Sequence, residues 1–335
     1  MSSEIKLFAL NTSKDFGEKV AIELDTTLSQ HEERDFEDGE HKSRSLENVR
    51  NRDVYVIQSL YGEPGRSVND KLCRLLFFVG SLKDAAAASV TIIAPYLCYA
   101  RKDRQTKSRD PITTRYVAAL MEAVGTDRIL TIDVHNLQAY QNAFRCQSEH
   151  LEGKNLFVGH FAPLVEKEEV VVLSPDTGGA KRAEAFRQAL SETTQKEVGF
   201  GFLAKQRSMG IVSGSTKIHG NVISKTVIII DDLISSGTTL SRAATACLAE
   251  GAKKVYAVAT HGAFTSQANK ILQNAPLEQV IITNTIPTFQ LSPQLLKEKV
   301  VVLDITPVFA AAINRIHHGE SLQELIQRDL KRIIA

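Results

Sequence analysis

Two adjacent carboxylates, Asp231 and Asp232, close an unbroken β-branched run from Val227 to Ile230, and Ser235, Ser236, Gly237, Thr238 and Thr239 follow almost at once. The apolar run reads as a strand covered on both faces, which puts the carboxylates at its C-terminal end. In open α/β sheets ligands bind at that end. The short side chains then open a helix, where backbone N–H groups and the helix dipole favour phosphate. Two carboxylates beside a phosphate cradle are mismatched in charge unless they accept ribose hydroxyls or water on a divalent cation. The segment outlines a sugar-phosphate site. The plainer alternative is a charged turn whose Ser and Thr only cap the helix.

Five further segments carry groups of the same kind. Arg34 to Glu40, RDFEDGE, sets an aromatic among carboxylates; alone it reads as a solvated turn with a buried Phe. Tyr99 to Arg109, YARKDRQTKSR, brings Arg101, Lys102, Arg104, Lys107 and Arg109 directly after a strand-like run. Such a basic arm suits a triphosphate better than nucleic acid, because no second basic patch or interleaved aromatics accompany it. Thr131 to Asn136 places Asp133 and His135 at alternate positions near a strand end, where both are expected to face one crevice and a neutral imidazole can ligate metal. Ser174 to Arg182, SPDTGGAKR, follows another strand with Asp176 and a Gly-Gly turn that lets backbone amides approach a diphosphate. Lys205 and Arg207 alternate before a Gly/Ser-rich arm, Ser208 to Gly220, and so point two cations the same way, as phosphoryl transfer requires.

The elements that must position these groups follow a βαβ rhythm. Strand-like runs are expected at 53–58, 90–94, 128–133, 170–174, 199–204, 226–230, 254–260, 279–283 and 300–304. Between them Val68, Leu72, Leu75, Leu76, Val79 and Leu82 share one helical face, as do Val117, Leu120, Met121 and Val124 before Gly125. Element order repeats weakly: VYVIQS, VTIIAPYLCYARKDR and ILTIDVH take the places that VVVLSPD, VGFGFLAKQR and VIIIDD take later. This divides the chain into residues 1–150, residues 151–306, and two C-terminal helical patterns over 307–335 that are expected to pack on the first domain.

The 335 residues, 43% of them hydrophobic, suffice for two cores. With 40 Lys plus Arg against 39 Asp plus Glu, no global field recruits nucleic acid or an anionic membrane. Cys73, Cys98, Cys146 and Cys247 are too scattered for a disulfide framework or a zinc site. No apolar run approaches the ~20 residues of a membrane span and no signal peptide is evident, so a cytoplasmic protein is expected.

The segment ending in Asp231-Asp232 resembles the phosphoribosyl-diphosphate (PRPP) motif of the type I phosphoribosyltransferase fold. Taken with FEDGE (36–40), ENVR (47–50), IQS (57–59), PYLCYARKDR (95–104), DPITTR (110–115), DRILTIDVHN (127–136), SPDTGG (174–179), KQR (205–207) and ATHGAF (259–264), nearly the whole chain resembles the ribose-phosphate pyrophosphokinase (PRPP synthase) family. The resemblance implies an α/β fold of two tandem type I phosphoribosyltransferase-like domains, with parallel sheets flanked by helices and a pseudo-twofold between them. It implies Mg²⁺-dependent transfer of diphosphate from ATP, a co-substrate, to the anomeric hydroxyl of ribose 5-phosphate, giving PRPP and AMP. The first domain would take the nucleotide and the second the sugar phosphate, in a homo-oligomer built from dimers, up to a hexamer, whose adenine pocket a neighbouring subunit completes.

Carried over by residue, Phe36, Asp38 and Glu40 would hold the adenine, with Arg101, Lys102 and Arg104 near the nucleotide. His135 and Asp176 would be the metal pair, and Lys205 and Arg207 would act on the transition state from a mobile arm. Asp231, Asp232 and Ser235 to Thr239 would grip ribose 5-phosphate. The chain departs from the family in having Lys102 for a Gln, Gln206 for an Arg, and Ser235-Ser236-Gly237-Thr238-Thr239 for Asp-Thr-Gly-Gly-Thr. Thr238 would be strained if its position needs φ > 0. Lys102 and the less acidic loop would make the empty site more positive, which resembles the phosphate-independent members. Two rivals remain at this point: a PRPP-consuming phosphoribosyltransferase, which leaves FEDGE and YARKDR unexplained, and an inert regulatory subunit, which would not need Lys205, Arg207, His135 and both aspartates.

Overall fold

The computed structural model describes residues 5–208, 211–323 and 325, with side chains for all of these except 205–208 and 211–216. The chain divides into two compact units, the first made of residues up to Glu152 together with the stretch from Thr306, the second of Gly153–Ile305.

The first unit runs β1 (Ile5–Ala9), α1 (Lys14–Glu23), a hairpin of β2 (His31–Asp35) and β3 (His41–Ser45), β4 (Asp53–Ile57), α2 (Val68–Asp84), β5 (Ser89–Ala94), α3 (Thr113–Ala123), β6 (Arg128–Ile132), α4 (Leu137–Ala143) and β7 (Gln147–Leu151). Its five-stranded sheet has the order β1-β4-β5-β6-β7, every pair parallel, and the β2–β3 hairpin forms a separate two-stranded sheet. The amphipathic pattern of α2 holds: Leu72, Leu75, Leu76, Val79 and Leu82 are buried, and a reciprocal Ser67/Asp70 capping box starts the helix. In α3 Val117 and Met121 are buried but Leu120 is 50% exposed, so that face is narrower than its sequence pattern.

The second unit runs α5 (Lys154–Val165), β8 (Val170–Ser174), α6 (Ala180–Thr194), β9 (Gly199–Ser208), β10 (Ile211–His219), β11 (Thr226–Leu233), α7 (Thr238–Ala249), β12 (Lys254–His261), α8 (Ala268–Asn274), β13 (Val280–Thr283), α9 (Pro293–Lys299) and β14 (Val300–Leu303). Helix α10 (Thr306–His318) then belongs to the first unit, where Phe309 packs edge-on against Phe16 of α1 at 5.5 Å. The second C-terminal helical pattern lies outside the described residues. The sheet order is β10-β9-β8-β11-β12-β13-β14, parallel apart from β10 against β9. The stretch read as a Gly/Ser-rich arm is therefore largely strand.

Strand β11 shows why an apolar run without alternation becomes a central strand. Val227 and Ile229 enter one core, with Leu240, Ala244 and Cys247 of α7, while Ile228 and Ile230 enter another on the opposite face with Phe161 and Phe186. Each such side chain taken from water contributes about 1.5–3 kcal/mol.

The two sheets share an order, which corrects the repeat expected from the sequence. Strands β1, β4, β5, β6 and β7 stand in the first sheet as β8, β11, β12, β13 and β14 stand in the second, and the β2–β3 hairpin occupies the chain position of β9–β10. The sequence pairing of β4, β5 and β6 with β8, β9 and β11 fails because β4, β5 and β6 are consecutive neighbours, whereas β8 lies between β9 and β11. In the corrected alignment FEDGE and KQR sit on equivalent hairpins.

Candidate active site

In the second unit the chain leaves β8 for β9 on one side and returns to β11 on the other, so β8 and β11 flank a topological switch point. Crevices at such points, beyond the C-terminal strand ends, are where α/β sheets bind ligands. The loop after β8 holds Asp176, exposed, whose Oδ1 accepts the Gly179 amide at 2.9 Å, while the Ser174 hydroxyl donates to the Asp176 carbonyl at 2.6 Å. A Cβ on Gly179 would lie 2.7 Å from that hydroxyl, so the second glycine of the Gly-Gly turn is required by close packing.

Asp231 and Asp232 lie near the C-terminal end of β11, with Asp232 only 6% exposed. Burial, then the neighbouring Asp232, push the Asp231 carboxyl well above the usual carboxylate range, and Arg182 opposes them. Arg182 Nη1 stands 3.4 Å from Asp231 Oδ1 and 3.3 Å from Asp232 Oδ1. This arginine, on α6 just past the Asp176 loop, has no role in the sequence reading although it closes the SPDTGGAKR motif. Its spacing, three residues beyond Gly179, was the available signal: one helical turn returns its side chain to the helix start.

The loop after β11 answers the doubt about Thr238. The left-handed residue is Gly237, at φ +80°, and Thr238 is the first residue of α7. The Ser236 hydroxyl lies 3.0 Å from that of Thr238 and accepts the Thr238 amide at 3.3 Å, serving as cap where Gly237 has no side chain. A Cβ on Gly237 would meet Leu272 at 2.7 Å. Gly237→Ala is expected to destabilise the protein by about 1–3 kcal/mol, from clash and positive φ together. Thermal unfolding checks this, and an unchanged Tm would contradict it.

Lys205 and Arg207 lie two apart on β9, where alternate residues share a face. Backbone pairing sets Lys205 opposite Thr216 and Arg207 opposite Val212, with a register irregularity between those partners in β10. Their side chains lie outside those described.

In the first unit the turn Phe36–Glu40 tips the β2–β3 hairpin. It is closed by the Phe36 amide to the Glu40 carbonyl at 2.9 Å, with Gly39 at φ +91° and Asp38 Oδ1 accepting the Glu40 amide at 3.0 Å. Phe36 is 41% exposed, with the Arg34 guanidinium 5.4 Å from its ring centroid, so the buried Phe of the plain-turn reading is not what the fold builds. Immediately below this turn Arg66, then Arg74, hold the Asp35 carboxyl well below the usual range.

Arg101 and Arg104 are exposed on the arm after β5. Lys102 is not an unneutralised charge there: its Nζ donates to Asp110 Oδ2 at 2.6 Å, and the same carboxylate accepts the Thr106 hydroxyl at 2.7 Å and the Lys107 amide at 3.0 Å. The positive charge that Lys102 adds relative to a Gln is thus partnered by Asp110. Asp103 Oδ2 accepts from the Asn136 side chain at 2.6 Å, tying the arm to the loop that carries His135. His135 is exposed, but β6 ends at Ile132 and Asp133 takes φ +42°, so strand alternation does not carry through to aim Asp133 and His135 together. The described residues contain no cluster of three or more His, Cys, Asp or Glu able to hold a metal on their own. His135 belongs to the first unit and Asp176 to the second. No described helix is long and apolar enough to cross a membrane.

Comparison with known proteins bears on both units. Residues 5–125 match the N-terminal domain of ribose phosphate pyrophosphokinase, and residues 205–327 match the phosphoribosyl synthetase-associated domain. The ribose-phosphate pyrophosphokinase of Caldanaerobacter subterraneus subsp. tengcongensis is 36% identical over 97% of this chain and 98% of its own. That of Oceanobacillus iheyensis is 34% identical over 96% and 97%. Among solved structures, the phosphoribosylpyrophosphate synthetase of Mycobacterium smegmatis superposes with a TM-score of 0.83 at 32% identity, covering 94% of this chain and 99% of that one. A switch-point crevice with paired aspartates in one unit, an aromatic-acidic hairpin and basic arm in the other, and end-to-end similarity over both leave one assignment: the chain belongs to the ribose-phosphate pyrophosphokinase family.

Proposed function

We propose that the protein transfers the β,γ-diphosphate of ATP to the anomeric oxygen of ribose 5-phosphate, yielding PRPP and AMP. The observation that carries the sugar half is the pair Asp231–Asp232 beside the Gly237-capped start of α7, at the switch point between β8 and β11. The amides at the start of α7 and the hydroxyls of Ser235, Ser236, Thr238 and Thr239 take the 5-phosphate, and the aspartates accept ribose hydroxyls. Phe36 stacks the adenine, with Asp38 and Glu40 reading its edge, and Arg101, Lys102 and Arg104 line the polyphosphate side. Lys205 and Arg207 meet the charge that grows on the phosphoryl oxygens as the sugar oxygen attacks Pβ and AMP departs.

The donor set fits Mg²⁺. Asp176 keeps a carboxylate oxygen beyond the one that accepts Gly179, and the mutual repulsion at Asp231 and Asp232 is the kind that a hard cation relieves. His135 and Asp176 are the proposed metal-associated residues. When bound, Mg²⁺ neutralises charge on the β- and γ-phosphates. A homo-oligomer built from dimers and a cytoplasmic setting belong to the same proposal. Exposed Tyr116 and Leu120, one turn apart on α3, support the oligomer.

The test is to incubate the protein with ATP, Mg²⁺ and ribose 5-phosphate and identify the nucleotide released. AMP in equal amount with PRPP is expected. ADP would mean transfer of a single phosphoryl group and would overturn the proposal.

A further inference from the structure

The hairpin that carries Phe36, Asp38 and Glu40 joins the ladder of neither large sheet, and only at its far end does His31 pack edge-on against Phe8 of β1, at 6.3 Å. A two-stranded hairpin alone is marginally stable in water, so something else must fix its pose. Both strands are pinned to α2 at one level, immediately below the turn. Asp35, the last residue of β2, accepts from Arg74 of α2 and from Arg66, whose Nη1 lies 3.1 Å from Asp35 Oδ1. His41, which pairs with Asp35 across the hairpin, stacks on Phe77 of α2 at 5.3 Å and 19°. Arg74 is 5% exposed, and its other carboxylate is Glu33, one strand position pair back on β2, at 3.7 Å.

The loop that presents Arg66 is itself held. Glu63 and Arg66 exchange backbone hydrogen bonds at 2.9 and 3.1 Å, the fully buried Lys71 ammonium lies 2.9 Å from Glu63, and the Tyr61 ring sits 3.3 Å from that ammonium. The Asp35 side chain is half-exposed, but it meets one guanidinium that is buried, Arg74, and one presented from a braced loop, Arg66. With the arginines held by the fold, this clamp orders less on forming than a pair of two free side chains does.

We propose that Asp35, Arg66 and Arg74 are positioning residues for the nucleotide: they hold the β2–β3 hairpin in the pose from which Phe36, Asp38 and Glu40 meet the adenine. The inference rests on the adenine role given to those three residues. Opening the clamp frees the turn next to Asp35, and ordering it again on each binding event lowers nucleotide affinity without touching the transferred phosphates or the sugar.

The experiment compares Asp35→Ala with Phe36→Ala in the full-length protein, measuring KM for ATP, KM for ribose 5-phosphate, kcat, and Tm. Asp35→Ala is expected to raise KM for ATP about 5–20-fold while KM for ribose 5-phosphate and kcat stay within about twofold. Arg66→Ala is expected to act in the same direction, and the double variant to be no worse than Asp35→Ala, because the two residues act through one contact. Asp35→Glu, which keeps the charge, is expected to recover part of the ATP affinity. If Phe36→Ala weakens ATP and Asp35→Ala does not, the clamp has no positioning role. If neither changes KM for ATP, the adenine assignment itself fails. If Asp35→Ala shifts both KM values and kcat together with a fall in Tm, the clamp serves only stability and the proposal is overturned.

Discussion

Lys205→Ala is expected to lower kcat by about two to three decades while KM for ATP changes only a few-fold. Removing one preorganised donor from a site where charge develops typically costs about 3–4 kcal/mol of transition-state stabilisation. Lys205 and Arg207 are the residues proposed for that task, two cations at alternate sequence positions on β9. Removing a group used in the transition state more than in the ground state lowers kcat and kcat/KM together and leaves binding nearly intact. Steady-state kinetics on the variant check this. A rise in KM for ATP at unchanged kcat would reassign Lys205 to ground-state binding.

Asp231→Asn is expected to have two effects of opposite sign. Affinity for ribose 5-phosphate should fall about 10–100-fold with ATP little affected, since the carboxylate proposed to accept sugar hydroxyls is replaced by an amide that also donates. Stability of the ligand-free protein should rise. The carboxyl of Asp231 is pushed up in the folded state by burial and by Asp232, so the native protein holds a proton there that the unfolded chain releases. Such a group supports folding fully below its unfolded value, near ~4, and that support is lost as pH rises through the folded value. Asparagine does not ionise and escapes the loss. The Tm advantage of Asp231→Asn over the parent should therefore be small near pH 5 and grow toward pH 8, reaching about 2–4 °C for each kcal/mol recovered. Unfolding followed across that range would show it, and a variant less stable than the parent at pH 8 would contradict the electrostatic account of the pair.

Strands buried on both faces were legible in the sequence because burial removes alternation and leaves runs such as VVVLS at β8 and VIII within β11. The polar strands were not. β2 and β3, HEERD and HKSRS, carry no apolar pattern, since charged contacts to α2 hold them in place of a core. β7, QSEHL, is an edge strand with one buried residue, and β10 was hidden by the Gly and Ser that let it bend across from β9. The repeat was misaligned for a related reason: with β1 and the hairpin unseen, β4 looked like the first strand of its copy.

At the site, residue types were easier to read than their partners. The Asp231–Asp232 pair, the Asp176 loop and the Gly237 turn were visible because each needs a particular residue at a particular backbone position. The Asp35 clamp joins residues 31 and 39 positions apart, and nothing in the sequence links them before the fold does. Lys102 and Asp110 are only eight apart, yet their pairing depends on a loop that folds around the Asp110 carboxylate.

The most direct test of diphosphate transfer is the fate of the sugar's own oxygen. Ribose 5-phosphate labelled with ¹⁸O at the anomeric position, turned over with unlabelled ATP and followed by phosphorus NMR, is predicted to give PRPP with the isotope shift on the phosphorus bonded to C1 and none in AMP. Loss of the label from the C1–O–P bridge, or its appearance in a nucleotide, would show that the sugar oxygen does not attack Pβ and would contradict the account.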